Sequence, residues 1–137
     1  MTGAFGSWNT ESGQNSPISI PGSLQFLSGA GPISVASGQS VLVTAFASIN
    51  NAQMYSGPLY FVIVYAMVGT AGTLTPVGQE QEYGFTGGIP TFQIGSTALI
   101  AGLPPGDYIV GLAARVPVGA LDNMLAAIAG AGTAVVF

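Results

Sequence analysis

"GPLYFVIVYAMVG", residues 57–69, contains ten consecutive apolar residues and no charge. Strand side chains alternate with period two. Leu59, Phe61, Ile63, Tyr65 and Met67 therefore fall on one face, and Tyr60, Val62, Val64, Ala66 and Val68 on the other. A soluble antiparallel strand normally keeps one face polar. Both faces are apolar here, so the sequence predicts a strand covered on both sides. The run, like that at 124–137, falls short of the ~20 residues a transmembrane helix needs.

Two neighbouring segments share the pattern. "SVLVTAFAS" places Val41, Val43 and Ala45 on one side and Leu42, Thr44 and Phe46 on the other. "DYIVGLAARV" places Tyr108, Val110, Leu112, Ala114 and Val116 together, with Ile109, Gly111, Ala113 and Arg115 opposite. Turn signals such as "SGAGP", "NNAQ", "GTAG", "TGGIP" and "LPPG" separate short β-rich runs, the texture of an all-β sandwich or barrel, and an antiparallel sandwich is the fold expected. Strands are expected at 23–27, 33–36, 40–49, 58–68, 79–85, 91–94, 97–101, 107–116 and 133–137. One short helix is expected at 123–129, with Asp122 as its N-cap and Gly130 as its stop. Residues 1–22, rich in Gly, Ser, Asn and Pro, read as an extended N-terminal arm. Residues 23–137 read as the β-sandwich domain.

The chain has 137 residues, one Arg, five acids, no His and no Cys. Its only cation is Arg115, so a nucleic-acid partner, which requires clustered Lys and Arg, is not expected. Charged residues make up 4% of the chain, against ~25% in an ordinary soluble domain. Much of the surface is therefore expected to be covered. Loops or the short helix of the same chain could cover the outer faces, but a second copy is favoured, because obligate interfaces resemble a domain core cut in half. Tyr60, Val62 and Val64 are the expected interface residues on the second face of 58–68. Phe5, Trp8 and Ile18 are the expected anchors of the arm on a neighbour, since aromatic side chains are enriched at interface cores, the alternative being an edge strand on the arm's own domain.

Without His, Cys or Lys, the Ser-His-Asp, Cys-His, Schiff-base and zinc chemistries are excluded, and no enzyme activity is expected. Glu80 and Glu82 share a strand face at ~7 Å. That spacing suits a solvated face better than the paired carboxylates of a glycosidase, which flank a cleft from separate elements. A Ca²⁺ site using Glu80, Glu82 and a turn carbonyl is the one cofactor considered. Loop aromatics Trp8, Tyr55 and Tyr83 could stack on a glycan. The start, "MTGAFGSWNTESGQNSP", has no basic region leading into an apolar one and reads as no secretory signal. No membrane partner is expected.

"SGQSVLVTAFASINN", "PLYFVIVYAMVG" and "STALIAGLPPGDYIVGLAARV" resemble the jelly-roll modules of trimeric phage head-decoration proteins, fibre knobs and TNF- or C1q-like heads. The resemblance covers residues 23–137. It implies a jelly-roll sandwich, a homo-oligomer with a trimer favoured, and other virion proteins as partners. It also implies location in the virion after synthesis in the host cytoplasm. The function implied is that of a capsid, decoration or fibre component. The alternative is a glycan- or receptor-binding knob.

Overall fold

The computed structural model describes residues 4–11, 18–51, 54–69, 73–85, 90–117 and 125–137. These form ten strands and no helix: β1 (Ala4–Glu11), β2 (Ile18–Ser19), β3 (Gln25–Val35), β4 (Val41–Asn50), β5 (Gly57–Met67), β6 (Thr75–Pro76), β7 (Gln81–Phe85), β8 (Thr91–Ile100), β9 (Gly106–Arg115) and β10 (Ala126–Val136). Every ladder is antiparallel.

Four ladders are nested. β1 pairs β10 from Ala4↔Val136 to Glu11↔Ala129, and β3 pairs β9 from Gln25↔Ala114 to Val35↔Gly106. Inside these, β4 pairs β8 from Val41↔Ile100 to Asn50↔Thr91, and β5 pairs β7 from Gly57↔Phe85 to Phe61↔Gln81. With β5 also paired to β6 up to Tyr65↔Thr75, the chain is thus one long hairpin whose tip lies between Tyr65 and Thr75. Two further ladders, β10 with β4 and β9 with β5, roll that hairpin over. The layers that result run β1-β10-β4-β8 and β3-β9-β5-β7, the strand order of an eight-stranded jelly roll. β2 continues the edge of β1 along β10, and β6 continues the edge of β7 along β5. The layers are stitched between β3 and β1 by a single pair, Gly29↔Trp8.

Alternation along β4 gives the sandwich its interior. Val41, Val43, Ala45, Ala47 and Ile49 are buried, and they join Leu59, Phe61 and Ile63 of β5 and Tyr108, Val110 and Leu112 of β9 in one core cluster. Because β4 and β9 lie far apart along the hydrogen-bonded path, a shared core requires the path to fold face to face.

The expected helix at 123–129 is corrected: from Ala126 onward the chain is a strand. Alanine favours helix intrinsically, but tertiary packing overrides propensity. β3 crosses β10 so closely that a Cβ on Gly130 would come within 2.7 Å of Ser28 Cβ, and one on Gly132 would collide with the backbone of Gly29. The small residues of "AAIAGAGTAVV" serve that close approach. Ser28, fully buried at the crossing, donates its hydroxyl to the carbonyl of Phe46 at 2.6 Å. The segments 23–27 and 33–36 belong to one strand, β3, whose ladder with β9 absorbs "SGAGP" as two register shifts. Likewise 91–94 and 97–101 form one strand, β8, which runs through Gly95 without a shift. Within the expected arm, residues 4–11 and 18–19 are the strands β1 and β2 of the sandwich's own sheet.

Candidate functional site

The outer face of the β3-β9-β5-β7 layer is covered by the chain itself around Val62, Val64 and Ala113. Val62 and Val64 of β5 and Ala113 of β9 are buried there beneath Leu24, Phe26 and Leu74. The register shift between Phe26 and Ser28 leaves Leu27 in the main core while Phe26 packs on the outside. The Phe26 ring lies against Gly29 and Gly111, positions at which any side chain would strike it. Val62 and Val64, expected at a subunit interface, therefore offer no surface to a partner; intramolecular cover is the correction. Tyr60 is half-buried, with the Arg115 guanidinium 4.6 Å from its ring centre, a cation–π contact.

Arg115 also donates Nε–H to Glu80 Oε2 at 2.7 Å and Nη2–H to Oε1 at 2.8 Å. These hydrogen bonds hold the Glu80 carboxyl below its ordinary acidity range, against the opposing effect of its partial burial. Both Glu80 oxygens are thus engaged, and Glu82 stands exposed on β7. Among the described residues no three carboxylates gather as a cation site. Of the two carboxylates expected at a Ca²⁺ site, Glu80 is thus paired with Arg115 through both oxygens and Glu82 is exposed.

The expected aromatic platform does not form from the residues described. Tyr55 is buried, its hydroxyl donating to the Pro58 carbonyl at 2.8 Å and its backbone N–H donating to Asn51 Oδ1 at 2.7 Å. Tyr83 stacks on Phe92, ring centres 4.0 Å apart, which ties β7 to the start of β8. Ile18 is half-buried on the core, paired with Ala127. The backbones of Phe5 and Trp8 pair with Val135 and Gly132, and their side chains lie outside the described residues.

The other layer is different. On the outer face of β8-β4-β10, Leu42, Phe46 and Leu99 are 40%, 43% and 55% exposed. The ladders line them up in rows: Leu99, Leu42 and Val135; Thr97, Thr44 and Thr133; Gly95, Phe46 and Ala131. Thr44 and Thr97 share a hydroxyl hydrogen bond at 3.2 Å. No residue of these three strands is charged. Side chains directly opposite on neighbouring strands are close enough to act as one surface. The result is a neutral face with apolar and threonine rows. The sequence already displayed it as Leu42, Thr44 and Phe46, but reading "TFQIG" and "TALIA" as two strands hid its continuation.

No family model matches the chain, and no curated protein matches it. A solved chain from "Structure of infectious bursal disease virus Gt strain" aligns at 12% identity and a TM-score of 0.22, covering 98% of this chain and 41% of its own. The present chain spans about two fifths of that neighbour's length. The jelly-roll assignment rests on strand order alone.

Proposed function

We propose that this chain is a non-enzymatic structural subunit that self-associates and reinforces a shell, as a capsid or decoration component of a virion does. The observation that carries the reading is the bare, uncharged outer face of β8-β4-β10 on a jelly roll whose other face is covered from within around Val62, Val64 and Ala113. A neutral face with exposed Leu and Phe is poorly suited to stay in water and well suited to be covered, since large contiguous apolar patches mark interaction sites. Other copies of the chain and other shell proteins are the partners that this reading names.

Native mass tests it. Multi-angle light scattering at micromolar concentration is expected to give a mass above that of one chain. That mass is expected to persist to about 1 M sodium chloride, because one arginine per chain leaves almost no ionic contact for salt to screen. A soluble monomer throughout would contradict the proposal.

A further inference from the structure

The two layers end on unlike edges. The β3-β9-β5-β7 layer ends in two short strands, β6 and β7, interrupted by Pro76, Gly78 and Glu80 and carrying exposed Glu82. Short, charged, proline-broken strands are how sheet edges are protected from pairing. The β1-β10-β4-β8 layer ends in β8, ten residues long, with no charge, no proline and an unshifted register against β4 from Thr91 to Ile100. Among the described residues no strand pairs its other side. Tyr83 of β7 stacks on Phe92 of β8, and among the described residues no strand pairs along the outer edge of Gln93–Ile100.

We infer that the Gln93–Ile100 edge of β8 pairs with the same edge of a second copy, antiparallel about a two-fold axis perpendicular to the sheet. This rests on the self-associating function proposed above and names its contact. Self-pairing of one strand about such an axis sets residue i opposite residue j with a constant, even sum. Centred on Ser96, it pairs Gln93 with Leu99 and Gly95 with Thr97, all on the outer face, and Ile94 with Ala98 on the inner face. Both faces of the layer then continue into the partner without a flip, as period-two register demands. Such a contact is isologous and closes at two copies, so the structure points to a dimer rather than the trimer that the resemblance implies. The strand is neutral, so its self-pairing meets no repulsion. The described acids lie elsewhere: Glu80 and Glu82 are at the other layer's edge, Asp107 is on β9 and Glu11 is on β1, three strands away. Backbone hydrogen bonds supply affinity in strand addition, and the Leu99 row supplies apolar contact beside them.

Two measurements on the full chain test this. Along an antiparallel strand, backbone N–H groups point alternately to the two sides. Alternate amides in 93–100 are therefore expected to exchange with deuterium quickly at nanomolar concentration and to become protected at high micromolar concentration. Gln93→Lys/Leu99→Lys sets lysine against lysine across the axis while changing only exposed side chains. It is expected to keep the wild-type circular dichroism and melting profile and to lose the dimer in sedimentation velocity. A wild type that associates without concentration-dependent protection at 93–100, or a folded double variant that still associates as wild type does, would overturn the edge contact and leave self-association standing. A wild type that is monomeric at every concentration would overturn both. If the double variant does not fold, the exchange experiment decides alone.

Discussion

β5 and β4 carry the same signature, apolar residues on both faces, and the fold treats them oppositely. β5 is sealed: Val62 and Val64 lie beneath Phe26, Leu24 and Leu74, and the Arg115–Glu80 pair closes the rim beside Tyr60. β4 alternates strictly, with Val41, Val43 and Ala45 buried while Leu42, Thr44 and Phe46 face outward without cover. A two-faced apolar strand thus states that both faces need covering and leaves open whether the same chain supplies the cover. The difference lies in what the neighbouring chain segments can reach. The β3 register shift swings Phe26 onto the outside of its own layer, and no described segment crosses the outside of β8-β4-β10.

The sharpest way to break this contrast is to force the cover off. Gly111→Val would drive a side chain into the backbone of Ser28 and Gly29 and into the Phe26 ring. Backbone clashes in a packed core belong to the most damaging class of substitution, so a loss above about 4 kcal/mol is expected, read as absence of a cooperative melt. Phe26→Ala removes the cover without a clash. Replacing a fully buried phenylalanine by alanine costs about 3–5 kcal/mol, and Phe26 is only partly buried, so about 2 kcal/mol is expected, together with new dye binding at the uncovered Val62 and Val64.

On the bare face the effects on stability are expected to be smaller. Phe46→Ser exchanges a side chain that already meets solvent, so a stability change within about 1 kcal/mol is expected by chemical denaturation. A loss as large as that of Phe26→Ala would show that Phe46 is covered within the chain. Glu80→Gln is expected to have the least effect at neutral pH, under about 1 kcal/mol, because the pair is partly solvated. Its signature is in pH. The folded Glu80 carboxyl is more acidic than its ordinary value of 4.5, so its contribution is fully present above that value and lost as pH falls through the lower folded one. Below about pH 4.5 the wild type and Glu80→Gln should therefore converge in melting temperature. A constant gap across that range would contradict the pairing.

Much of this contrast was legible in residue patterns. The apolar alternation of "SVLVTAFASIN" and the turn chemistry of "LPPGDY" gave strands whose ends fall within about one residue of those observed. In that turn, Tyr108 donates to the Pro104 carbonyl at 2.6 Å and Asp107 accepts from Ser34 at 2.7 Å, both local or ladder contacts. What escaped was long-range. Nothing local in "LAAIAGAG" says that Gly130 and Gly132 lie beneath β3, and the same alanines read locally as helix. Nor does anything local in "SLQF" place Phe26 over Gly111. The glutamates at 80 and 82 looked equivalent two residues apart, yet only Glu80 meets Arg115, which is 35 residues further along the chain. The open edge of β8 was missed because Gly95 and Ser96 looked like a break, whereas the strand runs through them against Phe46 and Ala45.

One pair of variants, compared by sedimentation velocity alongside circular dichroism, tests the central claim that one layer is completed within the chain and the other by a second copy. Val62→Glu and Leu99→Glu add the same charge to β-strands of the two layers, at positions 3% and 55% exposed. The expected result is that Leu99→Glu folds like the wild type and sediments as a single chain, whereas Val62→Glu fails to fold because an unpaired carboxylate would be buried. A folded Val62→Glu, or a Leu99→Glu that assembles as the wild type does, would contradict it.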